Sequence, residues 1–155
     1  MSTTPPSASS SATSSANSPA TSPLEKARAA RPDDAVFQAG IATRTQVMGS
    51  DFVDRAFGQA TDYTLPMQEF ITRNAWGNVW QRPGLDLKTR SLVTVAMLAA
   101  LGKQQELKGH VHGALNNGAT PDELREIMLH ATVYCGFPTA IEAFRSVTEV
   151  VESKP

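Results

Sequence analysis

Residues 86–118 read DLKTRSLVTVAMLAALGKQQELKGHVHGALNNG. Asp86 stands where an N-cap carboxylate accepts from the free N–H groups of a first helical turn. The helix it opens is apolar on nearly every side from Leu92 to Leu101, and Gly102 ends it. A helix that is apolar all round is covered all round. In so small a domain its own neighbours can scarcely cover it, so contact with another subunit is the expected cover. A second helix follows in KQQELKGHVHGALNN, with Gly118 as its stop. Two helices in direct succession, with no alternating strand pattern beside them, indicate an all-α fold class.

The same signals extend in both directions. TPDELREIMLHATVYCG opens with Thr120 as cap, Pro121 at the first helical position and Glu123 where a capping box puts it. Leu124, Ile127, Met128, Ala131 and Cys135 form its apolar stripe, and Pro138 starts a last helix through Ile141, Phe144 and Val147. Upstream, DDAVFQAGIATRTQVMG sets Val36, Phe37, Ile41 and Val47 near helical spacing, with Gly49 as a stop, and DFVDRAF predicts a short helix. LPMQEFITRNAWGNVW repeats Met67, Phe70, Ile71, Asn74 and Ala75 at three- and four-residue steps, a helical stripe. RPGLD then breaks the chain.

Composition narrows the partners. The 155 residues are 41% apolar, with 14 basic and 15 acidic side chains and a net charge of −1. With such a balance no face can be assumed to bind nucleic acid or anionic lipid, and neither is an expected partner. No apolar run approaches the roughly 20 residues of a membrane-spanning helix. The single cysteine, Cys135, has no intrachain partner, and no CxxC pair exists for redox chemistry or zinc. A reducing cytoplasm is the simplest compartment. Residues 1–23, MSTTPPSASSSATSSANSPATSP, carry neither aromatic nor charge and are expected to form a disordered tail, with the folded domain at 24–155. The tail lacks the charged and apolar regions of a secretory signal and the arginines of a mitochondrial transit peptide.

Chemistry-bearing residues concentrate in one helix. Glu106 and His110 are four apart and share a face, whereas His112 points roughly to the other side. Zinc on a helix wants two histidines at i and i+4 with a third ligand, so this pattern argues against a metal. Taken alone, a Glu–His pair at this spacing is more often a surface pair, and His130 with Glu126 reads that way. Gly109, Gly113 and Ala114, however, allow a backbone or ligand to approach closely. A glutamate against such a face is expected to be partly desolvated and useful for proton transfer.

RNAWGNVWQRPGLD (73–86), TRSL (89–92), HVHGALNNG (110–118) and YCGFP (134–138) together resemble the carboxymuconolactone decarboxylase family, over about Phe37 to Val151. The last third is also similar to the wider alkylhydroperoxidase D-like superfamily. Its redox members carry a CxxC followed four residues later by a histidine. Aligned on His110, the two thiol positions are Lys103 and Glu106, so the histidine position carries over and the peroxidase chemistry does not. The resemblance implies an all-helical subunit in a homo-oligomeric ring, a hexamer of three dimers, with no metal and no organic cofactor. The implied reaction is loss of CO2 from 4-carboxymuconolactone, giving 3-oxoadipate enol-lactone, in the protocatechuate branch of the β-ketoadipate pathway.

On that reading, His110 is expected to donate the proton or meet the oxyanion while Glu106 orients it or relays the proton, or the reverse. Arg82, Arg90 and Arg73 are candidates for the substrate carboxylates, since a guanidinium forks onto a carboxylate. His112 is a candidate from across a subunit boundary. Tyr134 and Cys135 are candidates for pocket lining, with core packing as their competing reading. Trp76 and Trp80 are expected at helix–helix or subunit contacts. A related enzyme acting on another substrate, and a non-catalytic assembly that binds a small acid, are the alternatives.

Overall fold

A computed structural model of the chain describes residues 21–153. The disorder expected of the tail falls on residues 1–20, outside the described residues. Ser22 caps the first helix and Pro23 stands in its first turn, so the end of the expected tail belongs to the folded chain. The helices are α1 (Pro23–Ala29), α2 (Ala35–Met48), α3 (Ser50–Gly58), α4 (Leu65–Ile71), α5 (Leu87–Ala100), α6 (Gln104–Asn116), α7 (Pro121–Cys135) and α8 (Phe137–Val151). Helix α4 runs directly into a π-helical segment, Thr72–Val79. No strand occurs among the described residues, and none of their helices is long and apolar enough to cross a membrane.

The caps form where the residue types call for them. Asp86 accepts from the Thr89 amide at 2.9 Å, and Thr120 and Glu123 complete a reciprocal capping box. Two apolar clusters result. Phe37, Ile41, Val47, Val53, Phe57 and Trp76 join the first four helices and the π-helical segment. Val95, Leu107, Val111, Leu124, Met128 and Val147 join α5 to α8. Helix α6 belongs to the second cluster and also packs on α2, where the Asn116 amide donates to the Val47 carbonyl at 2.9 Å. Gly113 permits this approach, because a Cβ there would press on Val47 and on the Met48 sulfur.

Three apolar stripes differ from the sequence expectation. Met67, Phe70 and Asn74 are exposed, whereas Thr72 and Trp76 are buried. Ile71 and Ala75 of the expected stripe do pack on the first apolar cluster, but Gln68 and Thr72 share that inner face and accept from Arg44, and beyond Thr72 the turns widen, as the Trp80 amide bonds the Ala75 carbonyl five residues back. On α8 the buried positions are Ala140, Ala143, Val147 and Val150, while Ile141 and Phe144 are exposed. Helix α5 buries Val95 and Ala99 but leaves Val93 and Met97 exposed. Within one chain, therefore, the all-round apolar helix is covered on one side only.

The tightest packing lies between α2 and the π-helical segment. A Cβ on Gly40 would collide with the Thr72 carbonyl, and one on Gly77 with the Val36 carbonyl. Both collisions are with backbone, so no rotamer change relieves them. Gly40→Ala should therefore destabilise the fold by about 1–3 kcal/mol or more, as overpacking does, read as a lower urea midpoint at unchanged slope.

Candidate active site

Helix α6 buries Leu107, Val111 and Ala114 on its core face, and this sets the direction of the remaining side chains. His110 is half-buried against the two tryptophans at the C-terminal end of the π-helical region. Its ring lies nearly parallel to Trp76 (6.2 Å between centroids, 4° between planes) and 6.5 Å from Trp80. The two indoles are 4.6 Å apart. His110 Nδ1 is buried and has no hydrogen-bond partner.

Burial lowers the proton affinity of His110 below the ordinary 6.5, and the Arg44 cation lowers it further, while the Glu106 carboxylate acts in the opposite direction. The imidazole is thus neutral at pH 7. Glu106 itself is exposed in the single chain, so the desolvation expected from its small-residue neighbours is not met there. His112 points away from the tryptophans, as its spacing requires. It is exposed and lines a hollow of about 360 Å³ together with Ser50, Arg55 and Asn116.

The other candidates have other partners. Arg73 forms an ion pair with Asp34 and lies over the Phe37 ring. Arg82 is exposed, and its carbonyl accepts from the Arg90 guanidinium at 2.8 Å; Arg90 Nε is buried without a partner. Tyr134 and Cys135 line an apolar hollow of about 660 Å³ between α5 and α7, with Leu92 and Ile127. Exposed Tyr134 rests its ring 4.6 Å from His130. Among the described residues, no group of three His, Cys, Asp or Glu side chains is arranged to hold a metal ion.

Glu106 thus acts on His110 through its charge, with no hydrogen bond or ion pair between them, and Trp76, Trp80 and Arg44, which were not read as site residues, lie around the imidazole or act on it. For Arg44 a signal was available. Phe37, Ile41, Arg44 and Met48 step by four, three and four, which puts an arginine on the inner face of α2. The tryptophan pair gave no comparable signal, because its placement depends on π-helical turns.

A model of the carboxymuconolactone decarboxylase family matches residues 66–149, a span that includes the tryptophan pair and His110. The chain belongs to this family. A relative named nitrosuccinic acid decarboxylase, from Metarhizium robertsii, is 52% identical over 108 residues, covering 70% of this chain and 76% of its own. A relative named 4-carboxymuconolactone decarboxylase, from Acinetobacter baylyi, is 44% identical over 118 residues, covering 76% of this chain and 88% of its own. Both stretches are longer than the family match itself.

In this member of the carboxymuconolactone decarboxylase family, the imidazole resonances of His110, followed by NMR across pH, should titrate below 6.5. Glu106→Gln should lower that value further by removing the anion that favours the imidazolium. The unfolded chain takes up this proton near its ordinary 6.5 and the folded chain only at lower pH. Stability should therefore be fully present above about pH 6.5 and fall as pH drops from there toward the folded value. Denaturant midpoints at about pH 7.5 and about pH 5.5 check this, with His110→Gln showing the smaller difference.

Proposed function

We propose that this chain is a cofactor-independent carboxy-lyase that removes CO2 from 4-carboxymuconolactone, giving 3-oxoadipate enol-lactone in protocatechuate catabolism. The observation that carries the reading is a neutral, half-buried histidine packed on two indoles, within the part of the chain that matches the family. The departing carboxylate sits on a ring carbon conjugated through a double bond to the lactone carbonyl. When its C–C bond breaks, the electron pair passes into that carbonyl, so the substrate supplies its own electron sink. The dianion takes up one proton at the ring carbon next to the carbonyl and leaves as a monoanion plus CO2.

His110 is the proton donor in this scheme. It is neutral in the free enzyme, and an entering dianion raises its proton affinity, so substrate and proton load together. Exposed Glu106 orients the imidazole and returns a proton to it from solvent. Of the arginines considered for the substrate carboxylates, Arg90 has a free Nε and lies beside Arg82, while Arg73 is already engaged by Asp34. Exposed Met97, Leu101, Val133, Tyr134 and Phe137 support assembly as a homo-oligomeric ring, a hexamer. In that ring His112, Tyr134 and Cys135 reach a neighbour's site. A cytoplasmic location accords with the lone, unpaired Cys135.

The relative at 52% identity favours a second reading, decarboxylation of nitrosuccinate. There the pair released by C–C cleavage passes into the nitro group as a nitronate. The two substrates share a skeleton, since each is a succinate with an electron acceptor attached to the carbon that loses CO2. Full-length protein dialysed against chelator should release CO2 from the lactone, and assay of both compounds decides between the readings. His110→Ala and Glu106→Gln should each slow turnover by about two orders of magnitude with the native mass unchanged. In wild-type pH profiles, kcat should decline at higher pH than kcat/KM, because bound dianion holds the His110 proton more tightly. Absence of CO2 from both compounds would remove the decarboxylase reading.

A further inference from the structure

Arg44 is the one charged side chain among the buried described residues, at 5% exposure. Its guanidinium donates to Thr72 Oγ1 at 3.2 Å and Gln68 Oε1 at 3.0 Å and lies 5.8 Å over the Phe57 ring. Nε has no partner at all. The ion pairs among the described residues join other side chains, so no carboxylate neutralises it. Burial lowers its pKa to about 10, which still leaves it charged at neutral pH. Buried charges in folded proteins are paired, because an uncompensated one is costly. A cation kept here without a protein anion is fitted to an anion that arrives.

There is room for one. Arg44 lines a hollow of about 420 Å³ between α2, α3 and the start of α4, shared with Arg55, Gln59, Thr64 and Gln68. That volume lies in the range of small-ligand sites. The lining holds two cations and no acid. Gln68 gives its Oε1 to Arg44 and keeps its amide NH2 as a donor. The hollow also abuts the helix that carries His110. Phe52, part of its wall, would lie 3.6 Å from a Cβ on Gly109, the residue before His110.

We propose that this hollow seats the substrate carboxylate that is retained, with Arg44 as its buried counter-ion and Arg55 at its mouth; this rests on the decarboxylase reading above. The choice between carboxylates follows from the direction of charge flow. A cation on the departing carboxylate stabilises a charge that vanishes as CO2 forms, and so raises the barrier. On the retained CH2–COO⁻ arm it binds ground and transition states alike and anchors the substrate without opposing the reaction. Both substrates considered above carry that arm, so one site serves either.

Succinate, the skeleton they share, is the probe. Full-length wild type, Arg44→Gln, Arg44→Lys and Arg55→Gln are compared by succinate-dependent thermal shift and by KM and kcat on the lactone. Succinate should raise the wild-type melting temperature, and methyl propionate, which lacks both charges, should not. Arg44→Gln should abolish the shift and raise KM about tenfold or more while kcat changes much less, and Arg44→Lys should restore part of both. A purely structural arginine would not give this KM-against-kcat split or its rescue by lysine. Arg55→Gln, at an exposed position, should weaken both readouts without affecting folding, and it carries the test if Arg44→Gln does not fold. Wild-type succinate response and KM in the folded variants would overturn the proposal, as would absence of any succinate shift in wild type. Arg44-dependent succinate binding in a protein that releases no CO2 would leave the anion site standing and remove the decarboxylase reading.

Discussion

Helix α2 and the π-helical segment meet backbone to backbone at Gly40 and Gly77, and the arrangement of the site depends on that contact. It fixes how deeply Trp76 enters the first apolar cluster, and Trp76 in turn limits the position of the His110 ring. It also sets Thr72 against Arg44, so the same crossing of two helices holds both the indole wall and the buried guanidinium. Small residues supply the closeness at both ends of the site. Gly113 lets α6 settle on α2, just as Gly40 lets α2 settle on the π-helical segment.

Desolvation is the shared cause of the site's electrostatics. It keeps His110 neutral and it lowers the proton affinity of Arg44, although the arginine begins so high that it stays charged. The outcome is a cation and a neutral base close enough to act on each other, with Glu106 on the solvent side. In such surroundings a bound anion would do two things. It would offset the guanidinium and favour the imidazolium, so that charge alone would couple binding to protonation.

Much of the fold was legible in the sequence because caps and stops are local. Asp86, Thr120 and Glu123 make their bonds within a single turn, and the helices begin where those residues say. The shared helix of Glu106 and His110, and the opposite direction of His112, followed from helical spacing in the same way. What escaped was set over longer distances. Met67 and Phe70 read as part of an inner stripe, yet Gln68 and Thr72 take inner positions beside Ile71 and Ala75 and accept from Arg44 on another helix. The tryptophans read as packing residues, and packing they are, but against an imidazole 30 or more residues away in sequence. Ile141 and Phe144 fit the helical period of α8 and are exposed, because Ala140, Ala143 and Val147 let α8 pack more closely on its neighbours.

The wide turns of residues 72–79 carry a further consequence. Each residue of an ordinary helix advances the side-chain direction by about 100°. Shortening this segment by one residue would return it to the tighter, commoner winding and improve its own hydrogen bonding. Made before Trp76, the deletion would also turn both indoles by about 100° relative to α4 and so away from the imidazole. The extra residue thus works as a fixed angular spacer, one that trades a little helical regularity for the aim of two aromatic side chains.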